Sequence, residues 1–279
     1  MARTPGWSRL TEQSSTRAPA PRDIRELDDA SDLIGILCDI DDTITWEGRL
    51  VPEALAMLER ARETGLRVVP VTGRPAGWAD HIARMWPVDG VVAENGGLWF
   101  WMADGKLQRR FLQEPAERRA NRARLAVLAE RILAAVPGTA LASDQPYREL
   151  DLAVDFCEDV PPLPDSAIDR IVAEFEAAGA ICKVSSIHVN GWFGHFDKLT
   201  GFTRFHQDRW NQPLEAGRWA FFGDSANDEP MFAAMGVSIG VANVLRFLPR
   251  MQAHPRWITP SPGGTGFVEG VEHILALRG

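Results

Sequence analysis

The chain has 279 residues, a hydrophobic fraction of 45%, a net charge of −8 and a sequence pI of about 5.3. This composition is typical of a globular protein long enough for two domains, and its acidic balance argues against nucleic acid as the main partner. Because no apolar run approaches the roughly 20 residues that span a bilayer and the N-terminus lacks the apolar stretch of a signal peptide, we expect a cytoplasmic protein with no membrane partner.

The first part of the chain alternates between short apolar strands and amphipathic helices. Residues 1–22 have no period, and residues 1–30 are predicted to form a mobile tail. Strands are then expected at 33–40, 66–74 and 89–97, with helices at 51–65 and 75–86 between them. This alternation predicts a parallel sheet with helices on both of its faces.

The pattern changes after Gly97. Residues 98–112 are predicted to form a hairpin around Asp104-Gly105, and helices are expected at 116–136 and 165–179. Residues 148–156 alternate apolar and charged side chains, which is typical of a strand with one face in solvent. Residues 98–189 are therefore predicted to be a separate α+β domain with an antiparallel sheet.

The first pattern resumes in the last third of the chain. Helices are expected at 198–210 and 264–278, and short strands at 219–222, 237–243 and 257–262. The sequence thus predicts an α/β parallel-sheet core formed by residues 31–97 and 190–279, with residues 98–189 inserted into it.

Two acidic clusters follow predicted buried strands. Asp39 and Asp41 come at the end of one strand, and Asp224 and Asp228 follow the strand at 219–222. The carboxyl ends of strands in an open parallel sheet meet at one crevice, where Mg²⁺ could neutralise the carboxylates and bring in a phosphate. A single Asp after a strand is usually a turn residue or a helix cap, but two acidic clusters, each directly after a buried strand, favour a metal site.

Two further residues are weaker candidates when each is taken alone. Thr72 ends the second strand, where its hydroxyl and the next backbone N–H could bind a phosphate oxygen, although Thr-Gly is also a common turn. Lys198 begins a helix, where a cation opposes the helix dipole, which hints at a catalytic role against the alternative of a solvated lysine.

In chain order, the stretches DIDDT, VTGR, DK and GDSAND resemble the four motifs of the haloacid dehalogenase (HAD) superfamily of phosphohydrolases. The inserted domain is placed like the type C2 cap of the Cof-like, or type IIB, branch, which includes sugar phosphatases. ENGG at 94–97 and GVAN at 240–243 resemble further stretches of that branch. The resemblance implies a HAD-like Rossmannoid core with an inserted α+β cap that selects the substrate.

The resemblance also implies a mechanism and a ligand set. Asp39 would be the nucleophile that forms an aspartyl-phosphate, Asp41 the general acid and base, and Lys198 the phosphate-holding cation. Mg²⁺ would be held by Asp39, the backbone carbonyl of Asp41 and Asp224, with Asp228 close by. The expected substrate contacts are Thr72, Gly73, Arg74, His188, Asn190 and Asn227.

The implied activity is Mg²⁺-dependent hydrolysis of a small phosphorylated metabolite, a sugar or polyol phosphate, by a monomer or homodimer. Two alternatives stay open: a phosphosugar mutase of the phosphomannomutase type, which needs several cap arginines, and a non-catalytic scaffold. Asp42 departs from the branch, where Gly usually follows the second Asp; we interpret it as a turn residue without a catalytic role.

Overall fold

The computed structural model describes residues 18–279. Within them the helices, numbered in chain order, are α1 (Pro52–Glu63), α2 (Ala76–Met85), α3 (Pro115–Ala135), α4 (Asp165–Ala177), α5 (Lys198–Trp210), α6 (Glu229–Ala234) and α7 (Gly263–Arg278). The strands are β1 (Arg22–Asp23), β2 (Gly35–Cys38), β3 (Thr45–Trp46), β4 (Arg49–Leu50), β5 (Arg67–Pro70), β6 (Val91–Ala93), β7 (Leu98–Ala103), β8 (Lys106–Phe111), β9 (Ala140–Leu141), β10 (Asp151–Asp155), β11 (Ile181–Val184), β12 (His188–Trp192), β13 (Trp219–Gly223), β14 (Val237–Gly240) and β15 (Trp257–Ile258).

A six-stranded sheet forms the core, in the order β1-β15-β14-β13-β2-β5, and every neighbouring pair is parallel. Successive residues of β2 enter two different apolar clusters, with Ile36 and Cys38 on one face of the sheet and Leu37 on the other. Both faces are therefore covered, which explains the continuous apolar run in the sequence. The predicted α/β class with a parallel-sheet core is confirmed.

The hairpin of β7 and β8 belongs to the core rather than to the inserted unit. Strand β6 pairs with β7, so that β6, β7 and β8 form one antiparallel sheet next to the main one. Leu98 and Phe100 pack in one core cluster, and Trp99 and Trp101 pack in the other. The predicted boundary at residue 98 is thus corrected, because these aromatic side chains find their partners in the core, and the inserted unit begins with α3.

The inserted unit is an α+β layer of its own. Its sheet has the order β11-β12-β10-β9, all antiparallel, and α3 and α4 share an apolar cluster with one face of that sheet. All five residues of β10 are buried, including Asp151 and Asp155. The alternation of residues 148–156 predicts a strand with one face in solvent, but its polar face is covered. We call the unit from α3 to β12 the cap.

Residues 18–30 pack against the core instead of forming part of a mobile tail. Ile24, Leu27 and Ala30 are buried in the core cluster, and His273 of α7 contacts the Leu27 carbonyl at 2.8 Å. The prediction of a tail from 1 to 30 is therefore wrong for this stretch, whose buried apolar side chains recur every three residues. Its remainder, residues 1–17, lies outside the described residues.

Among residues 18–279, no helix has both the length and the apolar character needed to cross a membrane.

Helix α5 lies so close to the turn at residues 94–97 that only glycine fits between them. A Cβ on Gly201 would lie 2.3 Å from the Cα of Gly96, which itself has φ of +101°. We expect Gly201→Ala to lower the free energy of unfolding by about 1–3 kcal/mol, because backbone atoms must move apart. Urea unfolding followed by circular dichroism measures it, with Gly217→Ala as a control, since a Cβ there meets nothing within 4 Å. Equal stability of the two variants would contradict this packing.

Candidate active site

Three of the four candidate motifs lie at the carboxyl ends of three adjacent strands. Strand β2 is flanked by β13 and β5, and Asp39, Asp224 and Thr72 follow these strands by one or two residues. The fourth comes from α5, whose first residue is Lys198. The parallel topology therefore brings together side chains that are up to 185 residues apart in sequence, as expected for a crevice at a sheet's carboxyl edge.

A buried ionic cluster lies at the centre of this edge. Lys198 Nζ is 2.9 Å from Asp39 Oδ2 and 2.7 Å from Asp228 Oδ1, and the lysine side chain is 1% exposed. The other oxygen of Asp228 accepts the backbone N–H groups of Asp224 and Ser225 at 2.9 and 3.1 Å. The lysine is thus held between two loops, which fixes its ammonium beside the Asp39 carboxylate.

The charge of this cluster is unbalanced without a further cation. Asp39, Asp224 and Asp228 each place an oxygen within 4.8 Å of the others, and Lys198 offsets only one of the three negative charges. Burial raises the pKa of Asp39 to about 7 against the opposing effect of Lys198, and burial together with Asp228 raises the pKa of Asp224. Asp224 Oδ1 is buried and has no hydrogen-bond partner within residues 18–279. An unpartnered carboxylate oxygen among hard oxygen ligands is the donor set that Mg²⁺ takes, so the residues fit the predicted ion.

Asp41 points away from this cluster, toward the cap. Arg74 donates to both of its oxygens, with the shortest N–O distance at 2.7 Å. The same guanidinium contacts Glu158 at 2.6 Å and Asp144 at 3.1 Å, and both of these belong to the cap. Arg74, predicted as a substrate contact, thus connects the Asp41 carboxylate to two cap carboxylates.

A second buried network joins the cap to the turns that precede α2 and β7. Arg148 donates to the carbonyl of Gly73 at 2.8 Å and pairs with Asp151 at 3.0 Å. The Glu94 carboxylate accepts the backbone N–H groups of Ala76 in the core and Leu150 in the cap, at 2.9 and 2.6 Å. Arg148 begins the alternating stretch for which the sequence predicts a solvent-facing side, but its side chain is buried because it closes this interface.

The remaining predicted substrate contacts lie around these networks. Asn190 donates to Asp151 at 2.9 Å, and its Oδ1 would lie 3.7 Å from a Cβ at Gly73. His188 Nε2 lies 2.8 Å from Glu158, and Asn227 donates to Asn95 at 3.3 Å. Asn190 is thus beside the Thr72-Gly73 turn, whereas His188 faces a cap carboxylate. That these side chains touch substrate stays a prediction.

Asn243 is a site residue that the sequence analysis did not single out. Its Nδ2 donates to the Asp224 carboxylate and to the carbonyl of Asp42, each at 3.0 Å, and its Oδ1 accepts from Gly263 N. It therefore orients Asp224 against the loop after β2. The available signal was its place at the end of GVAN, a stretch noted only for its resemblance to the HAD family.

Asp42 has the left-handed backbone conformation that glycine adopts readily, with φ of +52°. Its carboxylate lies 3.6 Å from Arg246, a half-exposed side chain. We expect Asp42→Gly to keep the rate of aryl phosphate hydrolysis within about threefold, because the turn is preserved and a weak exposed pair is lost. Release of p-nitrophenol measures it. A loss as large as that of Asp39→Asn would give Asp42 a role in the chemistry.

The chain is similar to known phosphatases over most of its length. A family model described as a haloacid dehalogenase-like hydrolase matches residues 36–115. The phosphoglycolate phosphatase of Pyrobaculum neutrophilum is 28% identical over 249 residues, which cover 86% of this chain and 95% of that protein.

Two solved structures share the fold. The sucrose-phosphatase of Synechocystis sp. PCC6803 has a TM-score of 0.61 at 16% identity, covering 87% of this chain and 98% of its own. A HAD subclass IIB sugar phosphatase has a TM-score of 0.59 at 12% identity, covering 86% and 98%.

Proposed function

We propose that the chain is a haloacid dehalogenase-like phosphatase, a Mg²⁺-dependent phosphomonoesterase working through an aspartyl-phosphate, on the basis of the family model that matches residues 36–115 and the phosphatases to which the chain is similar. The proposed substrate is a small phosphorylated metabolite, a sugar or polyol phosphate. The observation that carries the proposal is the buried cluster of Asp39, Lys198, Asp224 and Asp228, with its excess negative charge and its unpartnered oxygen.

In the first proposed step, an Asp39 carboxylate oxygen attacks phosphorus and the bond from phosphorus to the leaving oxygen breaks. Lys198, 2.9 Å from Asp39 Oδ2, holds the nucleophile and offsets charge on the phosphoryl oxygens. Asp41 gives its proton to the leaving oxygen, so that the product leaves as a neutral alcohol. Thr72, with its hydroxyl at the end of β5, orients the phosphoryl group.

In the second step, water attacks the phosphorus of the acyl-phosphate and the Asp39 carboxylate is released. Asp41, now ionised, takes the proton from that water. Asp39, the carbonyl of Asp41 and Asp224 would hold Mg²⁺, with Asp228 beside them. When bound, the ion supplies charge neutralisation that lets an anionic phosphate approach a carboxylate nucleophile.

The mutase alternative requires cationic side chains in the cap for a second phosphate. Three of the five arginines of α3 instead have other partners: Arg118 and Arg122 lie near Glu149, and Arg131 pairs with Glu174. None of them lines the cavity beside Asp41. Their positions favour hydrolysis over transfer between two phosphorylated ends of a sugar.

Metal depletion tests the proposal. Dialysis against EDTA is expected to lower the release of phosphate from p-nitrophenyl phosphate by at least about 100-fold, because the remaining cluster repels the anionic substrate. Added Mg²⁺ should restore the rate, and the EDTA-treated protein should keep its circular dichroism spectrum. Undiminished hydrolysis after removal of divalent ions, verified by elemental analysis, would contradict a metal-dependent reaction.

A further inference from the structure

All three side-chain nitrogens of Arg74 contact carboxylates. Nε donates to the two Asp41 oxygens at 3.0 and 2.9 Å, and Nη2 donates to Asp41 at 2.7 Å and to Glu158 at 2.6 Å. Nη1 donates to Asp144 at 3.1 Å. The side chain is 5% exposed, and its guanidinium carbon lies 4.4 Å from the centre of a Trp78 ring. Arg74 is thus engaged by carboxylates of this chain, which leaves its donor groups committed before any phosphate arrives.

The Asp41 carboxylate takes its orientation from Arg74. Within residues 18–279, no other side chain donates a hydrogen bond to its oxygens. Two N–H groups of one guanidinium that meet both oxygens of a carboxylate fix its plane as well as its position. Asp41 is the proposed general acid, and proton transfer to a leaving oxygen depends steeply on the placement of the acid. The placement of Arg74 therefore matters for the chemistry.

Glu158 holds Arg74 from the cap side. Its carboxylate lies between Arg74, at 2.6 Å, and His188 Nε2, at 2.8 Å. The backbone N–H of Glu158 donates to the carboxylate of Asp155 at 2.8 Å, and the same carboxylate accepts the N–H groups of the residues on either side of Glu158. Asp155 is fully buried. A turn built around one buried carboxylate thus fixes the backbone from which Glu158 reaches Arg74.

Asp144 is a second cap contact of Arg74, but its carboxylate is shared. One of its oxygens accepts from Arg74 at 3.1 Å, and the other accepts from Arg148 at 3.0 and 3.1 Å. Arg148 also donates to the carbonyl of Gly73 at 2.8 Å. Because Glu158 makes the shorter contact to Arg74 and pairs with no other arginine within residues 18–279, it is the cap residue with the larger expected effect.

We propose that Glu158 is a positioning residue for the general acid: this cap carboxylate orients Arg74, and Arg74 in turn orients the Asp41 carboxylate toward the leaving oxygen. Arg74 then supports the acid instead of contacting the transferred phosphate, and Glu158 acts without touching the reacting atoms. The inference rests on the proposed phosphatase function and adds to it a residue that the sequence analysis did not single out.

Two phosphate esters separate the positioning of the acid from other effects. kcat/KM covers the steps up to departure of the leaving group, which needs a proton in ethyl phosphate and little help in p-nitrophenyl phosphate. We expect Glu158→Gln to lower kcat/KM for ethyl phosphate by about tenfold, a part of the roughly 10²–10⁴-fold that a positioned acid supplies, and to keep that for p-nitrophenyl phosphate within about twofold. Since ethyl phosphate has the smaller leaving group, a loss confined to it does not come from a lost contact with that group.

Glu174→Gln is the matched control. Glu174 is also a partly buried cap glutamate that pairs with an arginine, at 2.8 Å from Arg131, and it lies on α4. Its kcat/KM should equal that of wild type for both esters. Glu158→Asp, which keeps the charge on a shorter side chain, should recover part of the loss seen in Glu158→Gln. Circular dichroism verifies that each variant is folded.

A double variant tests whether Glu158 acts through Asp41. In Asp41→Asn the acid is absent, so that adding Glu158→Gln should change kcat/KM for ethyl phosphate by less than about twofold. A further tenfold loss in the double variant would show that Glu158 acts independently of Asp41 and would overturn the inference.

Two results of the single variant would also overturn it. Equal losses for the two esters in Glu158→Gln would give Glu158 a structural role, and an unchanged kcat/KM for ethyl phosphate would show that Asp41 is oriented without the cap. If wild type released no phosphate from either ester, the proposed function itself would fail.

Discussion

Asp39→Asn is expected to lower kcat by about four orders of magnitude or more, the scale seen when a covalent nucleophile is removed. The amide keeps the shape of the side chain but is far less nucleophilic than a carboxylate, and it cannot form a stable acyl-phosphate. It also removes one of two carboxylates that hold the buried Lys198 ammonium. Phosphate release from an aryl phosphate under saturating Mg²⁺ measures the loss.

Asp42→Asn is the matched control for this variant. It makes the same chemical change three residues away, and Asn tolerates the left-handed backbone of that position. Its rate should stay near that of wild type. If Asp39→Asn retained a tenth of wild-type kcat, or if both variants lost activity equally, Asp39 would not be the nucleophile.

Asp41→Asn is expected to separate the two chemical steps. With an alkyl phosphate, kcat of the variant should fall by about 10²–10⁴-fold, because the poor leaving group needs a proton. With p-nitrophenyl phosphate the first step needs little acid, so a burst of nitrophenol close to one equivalent of enzyme should appear, followed by slow turnover because water lacks its base. Stopped-flow absorbance measures the burst.

The same experiment with an alkyl phosphate should give no burst in Asp41→Asn. Wild type and Asp42→Asn serve as references, because both keep the carboxyl group that Arg74 holds at 2.7 Å. An equal slowing of the first step for aryl and alkyl phosphates would contradict an acid–base role and would assign Asp41 to positioning alone.

The core strands and the acidic residues that follow them could be predicted from the sequence, because each is marked by a few consecutive residues. A buried parallel strand is a short apolar run, and an acidic residue directly after it has to lie at the sheet edge. The position of Asp39 and Asp224 at that edge could therefore be expected without knowing which strands are neighbours. The parallel-sheet fold was confirmed for the same reason, and the family model that matches residues 36–115 includes the first two motifs.

The cap was harder to predict because its polar residues are satisfied by distant partners. Asp151 and Arg148 alternate with apolar residues just as solvent-facing side chains do, yet they pair with each other at 3.0 Å under the core turn at Gly73. Only the contact between the cap and the core distinguishes buried, paired polar side chains from solvent-facing ones. Likewise, nothing local in β7 shows that its strand partner is β6.

Within the site itself, the contacts of Arg74 and Asn243 could not be predicted from the sequence. The sequence places Arg74 after the strand β5, but its contacts with Asp144 and Glu158 depend on residues 70 and 84 positions later. Asn243 orients Asp224 from the loop after β14. Long polar side chains that bridge separate elements are fixed by tertiary geometry, which no short motif encodes.

Trapping the covalent intermediate tests the central claim most directly. Enzyme mixed with a ³²P-labelled substrate is quenched in acid within milliseconds, reduced with borohydride and digested, so that an acyl-phosphorylated Asp becomes homoserine. The account predicts acid-stable label on wild type, homoserine at position 39 by mass spectrometry, and no label on Asp39→Asn. Rapid turnover without any trapped label, or modification at a residue other than Asp39, would contradict it.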